Sequence, residues 1–171
     1  MRYSREMVRI EQIASGNLAT FKEVRLAALQ ESPSAFGSTY AREQAFTDAE
    51  WKSRLERWNG VRGIGFVASE DGVACGIAGA LVDQTDATHA LLVSMWTAPT
   101  QRRKGIGRLL VEEVVRWAVK RGVVVLQLMV TSKNESAMRF YEELGFVRTE
   151  RVEPYANDPS MVEYEMARRL R

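Results

Sequence analysis

Apolar positions along the chain change their period several times, and each change marks an element. Leu18, Phe21, Val24, Leu26 and Leu29 recur at helical spacing and predict a helix from Asn17 to about Gln30. Glu31-Ser32-Pro33-Ser34 stops it, because proline lacks the amide a continuing helix needs. A second helix is expected over Asp48 to Trp58, capped by Thr47 or Asp48. Before both, Met7 to Ile13 alternates loosely and reads as an opening strand.

The period then shifts toward two. Gly65 to Ser69 and Val73 to Val82 are apolar, β-compatible runs joined across Glu70-Asp71-Gly72, and Asp-Gly is a strong hairpin signal. Ala90 to Thr97 predicts a further strand, closed by Pro99. Leu110, Val114, Trp117 and Ala118 share one face of a helix from Gly105 to Arg121, which Gly122 ends. Val123 to Val130 reads as a buried strand and Asn134 to Leu144 as a helix followed by Gly145. Phe146 to Val152 and Met161 to Ala167 close the chain as strands, with Val162, Tyr164 and Met166 alternating against Glu163 and Glu165. The order β-α-α-β-β-β-α-β-α-β-β describes a mixed α/β fold on one sheet, expected to form a single domain over residues 1–171.

Composition narrows the function classes. With 24 basic and 22 acidic residues the formal charge is +2, too balanced for a protein whose main partner is nucleic acid. That balance weighs against reading Arg102-Arg103-Lys104 and Arg168-Arg169 as nucleic-acid contacts. A lone cysteine, Cys75, forms no internal disulfide, and its alternation with Val73 and Ile77 suggests a small apolar residue in a strand. The run from Ala87 to Gln101 carries no Asp, Glu, Lys or Arg but is shorter than the roughly 20 residues that span a bilayer. A cytoplasmic protein making no membrane contact is the expectation. One histidine, His89, and one cysteine make a metal site improbable, and His89 reads as a surface residue.

The segment Arg102-Arg103-Lys104-Gly105-Ile106-Gly107-Arg108 lies between a strand and an amphipathic helix. Its glycines allow close backbone approach, and a helix start offers free amides and a positive dipole end, which together suit a polyphosphate. A dinucleotide fingerprint would need a third glycine where Leu110 stands, and a P-loop would need Gly-Lys-Ser or Gly-Lys-Thr; neither is present.

Arg102-x-x-Gly105-x-Gly107 resembles the pyrophosphate loop of the GNAT superfamily of acyl-CoA-dependent N-acetyltransferases. The second region of that family is matched by Asn134-Glu135-Ser136-Ala137-Met138-Arg139-Phe140-Tyr141-Glu142-Glu143-Leu144-Gly145-Phe146. The resemblance implies the GNAT fold and acetyl-CoA as cosubstrate. It implies that main-chain groups of Met95, Trp96 and Thr97 lie along the pantetheine arm and that amides from Arg103 to Arg108 cradle the pyrophosphate. Asn134 would contact pantetheine, and the Tyr141 phenol would protonate the departing thiolate. Dimers are common in the family, so a homodimer is compatible with the resemblance, although no exposed apolar face specifies one.

The residues themselves leave alternatives open. Ala137, Phe140, Tyr141 and Leu144 share one helix face, so Tyr141 also fits a core tyrosine. Asn134 fits a helix cap, unless Ser132-x-x-Glu135 forms a capping box and frees it. The attacking amine must lose a proton, and Glu43, between the first two predicted helices where the family forms its acceptor site, is the first candidate base. Asp83 and Asp86 are weaker, and all three also read as solvated surface carboxylates. Trp51 and Trp58, seven apart, suit packing or an acceptor-pocket wall. The function expected is acetyl transfer to a primary amine of a small molecule or peptide; the alternative is a catalytically inactive CoA-binding module.

Overall fold

A computed structural model describes residues 8–171; Met7 of the predicted opening strand lies outside the described residues. The chain runs β1 (Val8–Gln12), α1 (Leu18–Glu31), α2 (Tyr40–Gln44), α3 (Asp48–Arg57), β2 (Gly63–Glu70), β3 (Val73–Val82), β4 (His89–Thr97), α4 (Ile106–Lys120), β5 (Val125–Thr131), α5 (Glu135–Glu143), β6 (Val147–Pro154) and β7 (Val162–Arg169). Every element read from the periodicity is present. The addition is α2, whose five residues are too few to show a period; Thr39 caps it by accepting the Arg42 amide at 3.2 Å. At α3 the cap is Thr47, closed into a box with Glu50.

Seven strands form one sheet in the order β1-β2-β3-β4-β5-β7-β6, antiparallel except between β4 and β5. Asp71 and Gly72 both have positive φ, the geometry the β2–β3 hairpin demands. One face of the sheet packs against α4 and α5 through Leu110, Val114, Leu126, Leu128 and Phe146; the other takes α1 and α3 through Phe21, Leu29, Trp51, Trp58 and Ile77. The expected alternation of Cys75 with Ile77 does not hold. The β2–β3 register skips Cys75, and this bulge turns the thiol side chain toward the α4 core while Ile77 faces α1.

Close packing on the α1–α3 face depends on two glycines. Gly65 and Gly79 are cross-strand partners, and the Trp58 indole lies directly over both, so that a Cβ on either would overlap its ring. The indole also meets Phe21 edge-on, with centroids 5.1 Å apart. Gly65→Ala should therefore destabilise the fold by about 1–3 kcal/mol through overpacking, read as a lower denaturation midpoint; an unchanged midpoint would show that Trp58 is free to move.

Candidate active site

β4 and β5 stay paired for only three residue pairs, His89–Val125, Ala90–Leu126 and Leu91–Gln127. On its other edge β4 carries a bulge: Ala78 of β3 faces both Ser94 and Met95, and Ser94 takes φ 57°. A bulge bends its strand and sharpens the local twist. Beyond Leu91 the β4 main chain has no β5 partner, and a cavity of about 350 Å³ opens in the parting. Its walls are Leu92 to Met95 and Leu128 to Thr131; α5 contributes Asn134, Ala137 and Tyr141, and the helices of the opposite face contribute Arg25, Arg54, Arg57 and Trp58.

The loop before α4 has the geometry of an anion cradle. Gly105 is the N-cap residue at φ 84°, where L side chains are strained. No side chain caps α4, no acidic residue occupies its first turn, and the amides from Arg103 to Arg108 have no partner among the described residues. Arg103, Lys104 and Arg108 are exposed and pair with no carboxylate among the described residues, while buried Ile106 anchors the loop. Free amides, the helix dipole and unneutralised cations are what a pyrophosphate needs. Gly107 has a second reason for its size: a Cβ there would press on the Phe140 ring at 3.0 Å and on Met95 at 3.3 Å. Arg102 behaves differently from its neighbours. Its guanidinium donates to Glu31 at 2.8 Å and to the Thr97 carbonyl at 3.0 Å, tying the loop to α1, and Glu31 also accepts from the Trp96 indole at 2.8 Å.

Tyr141 lies at the cavity wall, packed edge-on against Phe146, and its hydroxyl has no hydrogen-bond partner among the described residues. Burial pushes its pKa up, so the phenol keeps its proton across the neutral range. The buried Thr131 hydroxyl lines the same space and is also unpartnered. Asn134 caps α5 through its carbonyl oxygen, which accepts from the Ala137 amide at 3.3 Å, while Ser132 accepts from the Val162 amide; the Ser132–Glu135 box is not formed. An open strand edge, unpartnered hydroxyls beside it and an uncapped helix start at the next element fit an elongated ligand with an anionic end.

The carboxylates divide clearly. Glu43 is fully buried, not solvated: Arg25 grips both its oxygens at 3.0 and 2.8 Å, and Arg54 pairs with it as well. Burial alone would raise its pKa, but the hydrogen bond and charge of Arg25 and the charge of Arg54 outweigh that and hold it below the usual range. A carboxylate so engaged is a poor proton acceptor, which corrects the expectation for Glu43. Asp83 and Asp86 are exposed and organise the β3–β4 loop through Thr85 and Thr88, and His89 pairs with Asp86 at 2.8 Å. Glu163, unremarkable in the alternation of β7, is instead the one carboxylate lining the cavity among the described residues. Burial, then its cross-strand neighbour Glu153, raises its pKa. No sequence signal marks it, because only the parting of β5 from β4 exposes that position. Among the described residues no helix is long and apolar enough to cross a membrane, and no cluster of metal-ligating side chains exists.

The profile of the acetyltransferase (GNAT) family matches residues 26–146. The ribosomal protein bS18-alanine N-acetyltransferase of Escherichia coli is 31% identical over 110 residues, covering 64% of this chain and 72% of that one. An aminoglycoside N(6')-acetyltransferase of Salmonella typhimurium is 30% identical over 93 residues, covering 51% and 64%. In fold, the chain superposes on the Salmonella typhimurium protein yncA, assigned as an acetyltransferase and solved with its cofactor acetyl-CoA, at a TM-score of 0.78 with 19% identity over 96% and 95% of the two chains. The E. coli S18-alanine enzyme gives 0.65 with 24% identity over 96% and 94%. The chain belongs to the acetyltransferase (GNAT) family and is an acetyl-CoA-dependent N-acetyltransferase.

Glu43→Gln would leave a buried guanidinium, Arg25, and a half-buried one, Arg54, short of a counter-charge and should cost about 3–5 kcal/mol, measured by urea unfolding at pH 7. Because the folded pKa of Glu43 is depressed, its contribution is present above the unfolded carboxylate pKa and lost as pH falls through the lower folded value. The stability gap between wild type and variant should therefore narrow on acidification; a constant gap would remove the charge from the argument.

Proposed function

We propose that this domain transfers acetyl from acetyl-CoA directly to a primary amine of a small molecule or peptide, with Tyr141 as general acid and Glu163 as the proton acceptor. The observation that carries the reading is the unpaired β4 edge: beyond Leu91 it borders the cavity that Tyr141 also lines, and the chain continues from β4 into the uncapped start of α4. In this reading, amides from Arg103 to Arg108, with the charges of Arg103, Lys104 and Arg108, hold the pyrophosphate. Main-chain groups of Met95, Trp96 and Thr97, with Asn134, line the pantetheine arm. Acetyl-CoA supplies the activated acyl group; the chain's contribution is to align it with the amine and exclude water, which accounts for much of the acceleration in such transfers.

Two proton movements remain. The departing thiolate needs a donor, and a phenol whose burial keeps it protonated has its proton available at neutral pH. The amine must reach the thioester uncharged. Support for Glu163 comes from its position on the cavity wall, its freedom from any ion pair among the described residues, and a pKa that burial and Glu153 raise above the usual carboxylate range.

Tyr141→Phe removes one oxygen and keeps the ring contacts with Phe140 and Phe146. It should lower kcat by about 100-fold, a typical general-acid contribution, with acetyl-CoA affinity unchanged by calorimetry; wild-type turnover would return Tyr141 to a packing role. Glu163→Gln should depress kcat/KM most near pH 7 and least above about pH 8, where an α-amine arrives already deprotonated. A loss that is uniform with pH would exclude Glu163 as the base.

A further inference from the structure

From the charges on the cavity wall we infer that the acceptor amine carries an anionic group, a carboxylate or a phosphate, which Arg54 and Arg57 bind. This rests on the acetyl-transfer reading and names the class of acceptor.

Three arginines line the cavity, against one glutamate, Glu163, among the described residues. Arg25 is fully committed: its Nε and Nη2 donate to Glu43 and its Nη1 to the Ser94 hydroxyl at 3.3 Å. Glu43 spends both oxygens on Arg25 and Arg54 and does not reach Arg57. Arg54 uses only one nitrogen on Glu43, and Arg57 has no ion pair or side-chain hydrogen bond among the described residues. Arg54 and Arg57 are three residues apart at the end of α3, so their side chains share a face. Summed over Arg25, Arg54, Arg57 and Glu43, this side of the cavity carries two uncompensated positive charges.

That crowding registers on Arg54 itself: burial first, then the charges of Arg25 and Arg57, lower its pKa against the opposing pull of Glu43. Like charges gathered at a cavity are relieved by an anion, and guanidinium groups with free N–H donors bind planar carboxylate or phosphate in paired hydrogen bonds. The CoA phosphates are not the natural occupant, because their cradle lies at α4, on the face of the sheet opposite α3. Glu163 completes a dipolar site, since an ammonium directed toward it leaves the anion for the arginines. A polycationic acceptor of the aminoglycoside kind meets repulsion here.

The test is thiol release from acetyl-CoA by the full-length protein with matched amines. The panel pairs α-amino acids with their carboxamides and O-phosphoethanolamine with ethanolamine, and adds spermidine and an aminoglycoside. An anionic acceptor should exceed its neutral partner by at least about tenfold in kcat/KM, the weight of one charge-assisted contact. Whether the acids or the phosphate lead identifies the anion. Arg57→Gln should collapse that ratio and Arg57→Lys restore part of it, with acetyl-CoA affinity by calorimetry reporting an intact fold. Preference for neutral or polycationic amines, or a ratio that Arg57→Gln and Arg54→Gln leave unmoved, would overturn the inference while acetyl transfer stands. Release with no amine at all would take the transfer reading down, and this inference with it.

Discussion

The separation of β4 from β5 after three residue pairs is the constraint on which the rest of this structure depends. A continuous sheet would satisfy the β4 amides and carbonyls internally and leave no cavity at its centre. The bulge at Ser94 and Met95 breaks that continuity, and the unpaired strand edge becomes a binding surface. The same parting gives Tyr141, on one face of the sheet, access to the space that Arg54 and Trp58 reach from the other. One cavity is thus lined from both faces of the sheet.

Holding a split sheet open requires firm support on both sides. On the α4 face this comes from the apolar seam of Leu110, Val114 and Ala118, all fully buried, which packs α4 against the sheet beneath its own uncapped start. On the other face the support is mixed. Trp58 laid over Gly65 and Gly79 is close packing, whereas Arg25, Glu43 and Arg54 form a buried ionic cluster. Such clusters contribute little net stability, because desolvation offsets most of the Coulombic gain. Their value here is geometric: Glu43 fixes Arg25 against the Ser94 bulge and leaves a charged wall where an apolar one would pack more tightly.

Most of the fold was legible in the sequence, because long amphipathic helices and alternating strands write their period into the chain. The α4 seam, the Asp71-Gly72 hairpin and the Thr47 cap follow from local rules. The conformation of the loop before α4 was legible for a similar reason. Gly105 with its positive φ and the free amides behind it are properties of one continuous segment, and so is the helix bearing Asn134 and Tyr141. What stayed hidden was short or irregular: α2 has too few residues for a period, and the Cys75 bulge breaks the alternation its neighbours suggest.

Charge was the property the sequence could not assign. Glu43 stands among polar neighbours and Glu163 alternates with apolar residues in β7, and neither local pattern shows which of them meets a cation. Tertiary structure separates them. Glu43 is enclosed between Arg25, 18 residues before it, and Arg54, 11 residues after, whereas Glu163 comes to the cavity because β7 pairs with the strand that leaves β4. The sequence by itself determined the elements, the glycine-bearing loop before α4 and the family, since each is encoded within one stretch of chain. Which carboxylate is locked and which is free, and the sign of the charge on the cavity wall, were decided only by folding, because electrostatic environment is set by neighbours in space and not along the chain.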